Sequence, residues 1–150
     1  MSKYILGIET TCDETAASIV DNNIILSNTI ASQVDIHTKF GGVVPEVASR
    51  YHMERLPIVV NQAISESKIK IEDISAIAVA TNPGLAPALA VGYSYASALA
   101  LNLDIPIISV NHLYAHIWAN FLSFKDEHTK MIPERFLTLL VSGGHTQLID

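Results

Sequence analysis

The sequence predicts an α/β fold, with three antiparallel strands leading into strand–helix alternation on a mixed sheet covered by helices. Three apolar runs near the N-terminus are separated only by short polar turns, as hairpin-connected strands require. After residue 45 the pattern changes to helical periodicities alternating with short β-rich runs, as crossover units require. Hydrophobic residues make up 49% of the 150 and charged residues only 16%. That is ample for a core and low for a surface wet on all sides. The expectation is a face buried against a partner or against further sequence.

The elements follow in order. YILGIET (residues 4–10) is a buried strand and TCDET a polar turn. AASIV (16–20) is the second strand, DNN a hairpin turn, and IILSNTIASQV (24–34) the third strand. DIHTKFGGVVP is a loop closed by a glycine pair and a proline. The next segment, 45–67, is a helix opened by Pro45 with Glu46 behind it. Val47, Leu56, Val59, Val60, Ala63 and Ile64 recur at helical spacing there, and Pro57 predicts a kink or break. KIED leads into a strand over 76–81, NPGL turns into a buried helix, and IPIISV (105–110) is the next strand. HLYAHIWANFL (112–122) is a helix, KDEHTKMIPE a polar linker, and RFLTLLVSGGHTQLI a hairpin around Ser142, Gly143, Gly144 and His145. The division expected is a lobe over 1–130, then a linker and the first hairpin of a truncated second lobe over 131–150. Such a hairpin should leave Phe136, Leu137, Leu139 and Leu140 exposed, favouring dimerisation or poor solubility.

Composition narrows the function classes. The formal net charge is −6, from 15 acidic and 9 basic residues, and no lysine or arginine run occurs. Phosphate contacts dominate nucleic-acid affinity, so any RNA substrate needs its main basic docking surface elsewhere. Cys12 is the single cysteine, which fits a reducing compartment. The N-terminus is too short and too polar for a signal peptide or a membrane span. The apolar run over 85–103 is interrupted by Gly, Ser, Tyr and Pro and suits a buried helix. A soluble cytoplasmic protein is expected.

Four short motifs could carry chemistry. His112 and His116 stand four apart, which on a helix places both rings on one face, about 5–6 Å apart at Cβ. They can chelate one divalent metal or be an ordinary half-buried pair. A zinc protease of the H-E-x-x-H type needs a glutamate directly after the first histidine, where this chain has Leu113. VSGGH offers backbone N–H groups for phosphate or carboxylate oxygens, or forms a plain hairpin turn. ETTCDET gathers Glu9, Asp13, Glu14 and hydroxyls at a strand end, as a catalytic or metal–phosphate loop or as a solvated turn. NPGL is a second phosphate-facing turn or simply a turn.

Taken together the motifs become specific. GIETTCDETAASIVD, SQVDIHTKFGGVVPEVASRYH, NHLYAHI and LLVSGGHTQLI, in this order and spacing, resemble the TsaD family. Its members are tRNA threonylcarbamoyl transferases once described as O-sialoglycoprotein endopeptidases, and the resemblance runs from Tyr4 to Asp150. It implies an actin-like ATPase fold, of which this chain would be the N-terminal, ribonuclease-H-like lobe. It implies transfer of threonylcarbamoyl from threonylcarbamoyl-AMP to the tRNA adenosine next to the anticodon. By the same resemblance His112 and His116 are ligands of an active-site iron or zinc, and Leu140, Val141, Ser142, Gly143 and Gly144 bind substrate. Asp13 and Glu14 match the acidic residues of the first cleft loop and are the catalytic candidates, and His145 borders the site. The third metal ligand and the nucleotide-binding residues of the second lobe are missing, so the chain alone is expected to be inactive.

Partners implied by the resemblance are tRNA, a shorter TsaB-like paralogue and other proteins of the threonylcarbamoylation complex. A homodimer is a further expectation. The sequence departs from the family pattern at Asn82, Pro87, Ser97 and Tyr114. Two other readings stand beside the enzyme: a non-catalytic dimerising scaffold of the same complex, and a metalloprotease, against which the missing glutamate counts.

Overall fold

The structure, a computed structural model, describes residues 4–125, 127–128, 130–142 and 146–150. Three strands open the chain: β1 (Tyr4–Glu9), β2 (Glu14–Asp21) and β3 (Ile24–Ser32). Each alternates, so Leu6 and Ile8 of β1 and Ala17 and Ile19 of β2 point to one buried side. The β2–β3 hairpin turns on Asn22, whose φ of 53° is a left-handed value that asparagine tolerates. On β3 the inward residues are polar but paired: Ser27 donates to the Ala63 carbonyl at 2.6 Å, and Thr29 to Glu66 at 3.1 Å.

Helix α1 (Val34–His37) and a single 3₁₀ turn (Thr38–Phe40) occupy part of the segment expected as strand end and loop. The third strand stops at Ser32 because Gln33 turns inward, fully buried, and holds His37 at 3.0 Å. Helix α2 (Pro45–Ser67) is continuous through Pro57, so the expected break is absent. Pro57 lies on the exposed side, where the Met53 carbonyl that lacks its i+4 donor can bond to water. Ala48, His52, Leu56, Val59, Val60 and Ala63 form the buried stripe that lies on β2 and β3.

Next come β4 (Ile74–Asn82), α3 (Ala86–Leu103), β5 (Ile107–Asn111) and α4 (His112–Ala119). The six-stranded sheet has the order β5-β4-β1-β2-β3-β6, where β6 (Ser123–Phe124) is a two-residue strand parallel to β3. β1 pairs antiparallel with β2 and parallel with β4, and β4 pairs parallel with β5. The expected mixed sheet is therefore present. Helices α2 and α3 pack on one face over Leu6, Ile19, Leu56 and Ile77, all nearly inaccessible to water. The buried side of α3 is Ala88, Gly92, Ala96 and Ala100, a row of small residues that lets the helix settle close to the sheet. A methyl group at Gly92 would collide with the Thr10 side chain. Among the described residues no helix is long and apolar enough to cross a membrane.

β7 (Thr138–Val141) and β8 (Thr146–Ile149) form a separate two-stranded sheet. Its expected exposure holds for Leu137 and Leu139, each 64% exposed, but not for the other two. Leu140 is buried at 8%, and Phe136 stacks edge-on to Phe121 with ring centres 5.1 Å apart. The hairpin docks on the α4 segment and covers part of its own apolar face.

Candidate functional site

Because β1, β4 and β5 are parallel, their C-terminal ends come out on one edge of the sheet, the side where open α/β sheets place ligands. β1 delivers Glu9 there and β5 delivers Asn111, which caps α4. The Asn111 side-chain oxygen accepts from the N–H groups of Leu113 at 2.9 Å and Tyr114 at 3.3 Å. The cap fixes His112 as the first helical residue and His116 one turn later.

The histidine rings meet edge to face with centres 4.5 Å apart and their Nε2 atoms 3.1 Å apart. His112 Nδ1 lies 3.0 Å from Glu9 Oε2, and the Thr11 N–H donates to Glu9 Oε1 at 2.5 Å. An ionised carboxylate only accepts, so His112 carries a proton on Nδ1. Burial pushes the Glu9 carboxyl up, but the hydrogen bonds from His112 and Thr11 outweigh it and hold the group below its ordinary range. The bond to Glu9 raises the His112 imidazole above its ordinary value, against an opposing push from burial.

The pair fits a metal ion by its chemistry and spacing. Histidine nitrogens bind zinc at about 2.0–2.1 Å, so two that share an ion lie within roughly 4 Å of each other. The observed 3.1 Å satisfies that. Among the described residues no cluster of three or more His, Cys, Asp or Glu is arranged to hold a metal.

Between α4 and β7 lies an open cavity of ≈ 230 Å³, lined by His116, Ile117, Asn120, Leu139, Leu140, Val141 and Ser142 among others. Three of the predicted substrate residues, Leu140, Val141 and Ser142, thus share a cavity with a predicted metal ligand. Gly143, Gly144 and His145 lie outside the described residues. Asp13 is half-buried in the β1–β2 loop and Glu14 is exposed at the head of β2. Among the described residues neither carboxylate hydrogen-bonds to the histidine pair; Glu9, from the same motif, does.

Sequence reasoning missed a second set of residues that hold this loop. His52 on α2 is 0% exposed. Its Nε2–H donates to the Cys12 carbonyl at 3.1 Å, and its Nδ1 accepts from the Thr15 hydroxyl at 2.7 Å. The Gln33 amide lies 3.3 Å from both ring nitrogens. Burial lowers the His52 imidazole below its ordinary value and keeps it neutral, against smaller upward pulls from Cys12, Glu9 and Asp13. Gln33 also bonds to His37, so α1, α2 and the β1–β2 loop are tied through one buried polar network. The one available signal was position: His52 stands between Ala48 and Leu56 on the buried stripe.

The comparisons place this architecture. YeaZ from Pseudomonas aeruginosa superposes with a TM-score of 0.58 at 18% identity, covering 74% of this chain and 44% of that one. An uncharacterized protein with similarity to peptidase YEAZ from Pseudomonas aeruginosa superposes at 0.63 and 16% identity, covering 99% and 64%. At such identity the likeness shows the fold alone: a lobe of the actin-like ATPase type. The sequence is more specific. The family model described as TsaD, tRNA N6-adenosine threonylcarbamoyltransferase, matches residues 24–149, and the chain belongs to that family. The tRNA N6-adenosine threonylcarbamoyltransferases of Thermosipho melanesiensis and Clostridium kluyveri are 47% and 54% identical to it, each over 97% of its length. The same alignments cover 43% and 41% of those relatives, so the chain spans about two fifths of their length.

Proposed function

We propose that this chain is the N-terminal portion of a tRNA threonylcarbamoyl transferase, carrying half of its metal site and one wall of its substrate cleft. The observation that supports this best is the facing Nε2 pair of His112 and His116, opening beside the cavity lined by Leu140, Val141 and Ser142. In this reading both histidines ligate one iron or zinc ion, and an ion bound there supplies Lewis acidity toward the threonylcarbamoyl carbonyl. His112 and His116 set where the acyl group lies. Leu140, Val141 and Ser142 would face threonylcarbamoyl-AMP, with Gly143 and Gly144 following them in sequence, and the buried side of Leu140 excludes water. Asp13 and Glu14 act from the loop anchored by His52, where their charge suits the amino group of the incoming tRNA adenosine.

A TsaB-like partner suits the outer face of α2 and α3. Met53 is exposed there and lines a depression between the two helices with Leu56, Ala90, Val91 and Tyr95. The same face gives the scaffold reading its one supporting observation. For the protease reading, α4 carries no carboxylate to serve as general base.

Metal titration by calorimetry tests the reading. Zinc or ferrous iron should bind this chain weakly, because two histidines and water make an incomplete site, and binding should vanish in the double variant His112→Ala, His116→Ala. The chain alone should modify no tRNA. Binding that survives the double substitution would overturn the metal assignment, and self-association through α2 and α3 without metal would favour the scaffold.

A further inference from the structure

We propose that Glu9 is the positioning residue of the histidine pair: its carboxylate fixes His112 as the Nδ1–H tautomer and aims Nε2 at the space shared with His116. The inference rests on reading the pair as metal ligands and names the group that prepares one of them. Two observations carry it. Glu9 reaches the site from the end of β1, 103 residues before His112, and makes the 3.0 Å contact with the nitrogen that faces away from His116. The carboxylate is itself held, since the Thr11 N–H takes its other oxygen and the Thr11 hydroxyl lies 3.4 Å from the same imidazole nitrogen.

The consequence is an asymmetric site. His112 arrives with its ligating lone pair already in place. Among the described residues no carboxylate holds His116 in the same way. An ordinary ion pair would not produce this. With both side chains about a quarter exposed, at 25% and 30%, such a pair would add little to stability and would be indifferent to which nitrogen faces His116. A carboxylate behind a metal-binding imidazole sets its tautomer, its orientation and its basicity, and loss of such a partner weakens metal binding by about 10–100-fold.

The test combines zinc titration by calorimetry with nitrogen NMR of the imidazoles, on this chain, Glu9→Ala and His112→Ala. The parent chain without metal should show His112 as the Nδ1–H tautomer. Glu9→Ala should show a mixture of tautomers and bind zinc about 10–100-fold more weakly; His112→Ala should not bind at the site. If Glu9→Ala binds as tightly as the parent while His112→Ala loses binding, the positioning role is refuted and the metal site stands. If His112→Ala binds like the parent, the metal reading itself fails. A merely structural Glu9 would lower the melting temperature and leave the tautomer unchanged. Should Glu9→Ala not fold, the parent spectrum decides: an Nε2–H tautomer at His112 overturns the proposal.

Discussion

His52→Ala probes the polar network under the β1–β2 loop. The substitution removes a fully buried imidazole that bonds Thr15 and Cys12 and lies beside the Gln33 amide. Truncating a buried ring of this size to alanine costs about 3–5 kcal/mol when the cavity cannot collapse. The orphaned Thr15 hydroxyl, Gln33 amide and Cys12 carbonyl add about 1–3 kcal/mol each if they stay dry. The vacated space is polar on several sides and of imidazole size, so water will enter and restore much of the bonding. The net expectation is a loss of about 3–5 kcal/mol, a large share of the roughly 5–15 kcal/mol that stabilises a typical domain. At about 2–4 °C per kcal/mol for a chain of this length, the melting temperature should fall by about 6–20 °C. Urea unfolding followed by circular dichroism measures the change. A loss below about 1 kcal/mol, the size of an ordinary surface substitution, would refute the claim that the network anchors the loop.

His52 also fixes the sign of a pH effect. Its folded-state pKa is depressed by burial, so its contribution to stability is complete above the unfolded histidine value of about 6.5 and is lost as pH falls toward the folded value. The chain should therefore melt at lower temperature below that pH, with a slope that His52→Leu flattens. Gly92→Ala should destabilise by about 1–3 kcal/mol through overpacking against Thr10, despite the roughly 1 kcal/mol that alanine gains in a helix interior. A rise in melting temperature would show that Thr10 can move aside. Asn111→Ala removes the cap of α4 and should cost about 0.5–2 kcal/mol. If the cap sets the position of His112, zinc titration of Asn111→Ala should also show weakened binding.

Much of the fold was legible because it is written in local periodicity. The alternation in β1 and β2 and the helical spacing in α2 and α3 each bury one side of an element without reference to the rest. What was not legible depends on tertiary partners. β6 exists because β3 offers it an edge, and two residues carry no pattern. α1 forms where Gln33 turns into the buried network rather than continuing β3. Pro57 breaks the helix only if the carbonyl left without a donor stays unpaired, and on the exposed side of α2 water supplies that bond. At the site, the spacing of His112 and His116 was visible because four residues is one helical turn. The pairing of Glu9 with His112 was not, since only the parallel order of β1, β4 and β5 brings positions so distant in sequence together.

That dependence has a mechanical consequence. The loop over residues 10–13 is gripped from three sides: His52 of α2 holds the Cys12 carbonyl, Thr10 donates to the Ala88 carbonyl of α3 at 3.0 Å, and the Leu85 N–H donates to the Thr11 carbonyl at 2.8 Å. Thr11 in turn holds Glu9, and Glu9 holds His112. Gly84 belongs to the same grip, because a Cβ there would strike the Thr11 backbone. Among the described residues, none of these groups from α2 or α3 hydrogen-bonds to the histidine pair, yet each sets where Glu9 stands. His52→Ala and Gly92→Ala should consequently weaken zinc binding as well as stability. A core substitution remote from the loop and of similar cost, Ile74→Ala at the start of β4 for instance, should leave affinity unchanged in the folded fraction. Equal affinities for all three variants would mean that the loop moves independently of Glu9, and that the two networks share a neighbourhood without sharing a load.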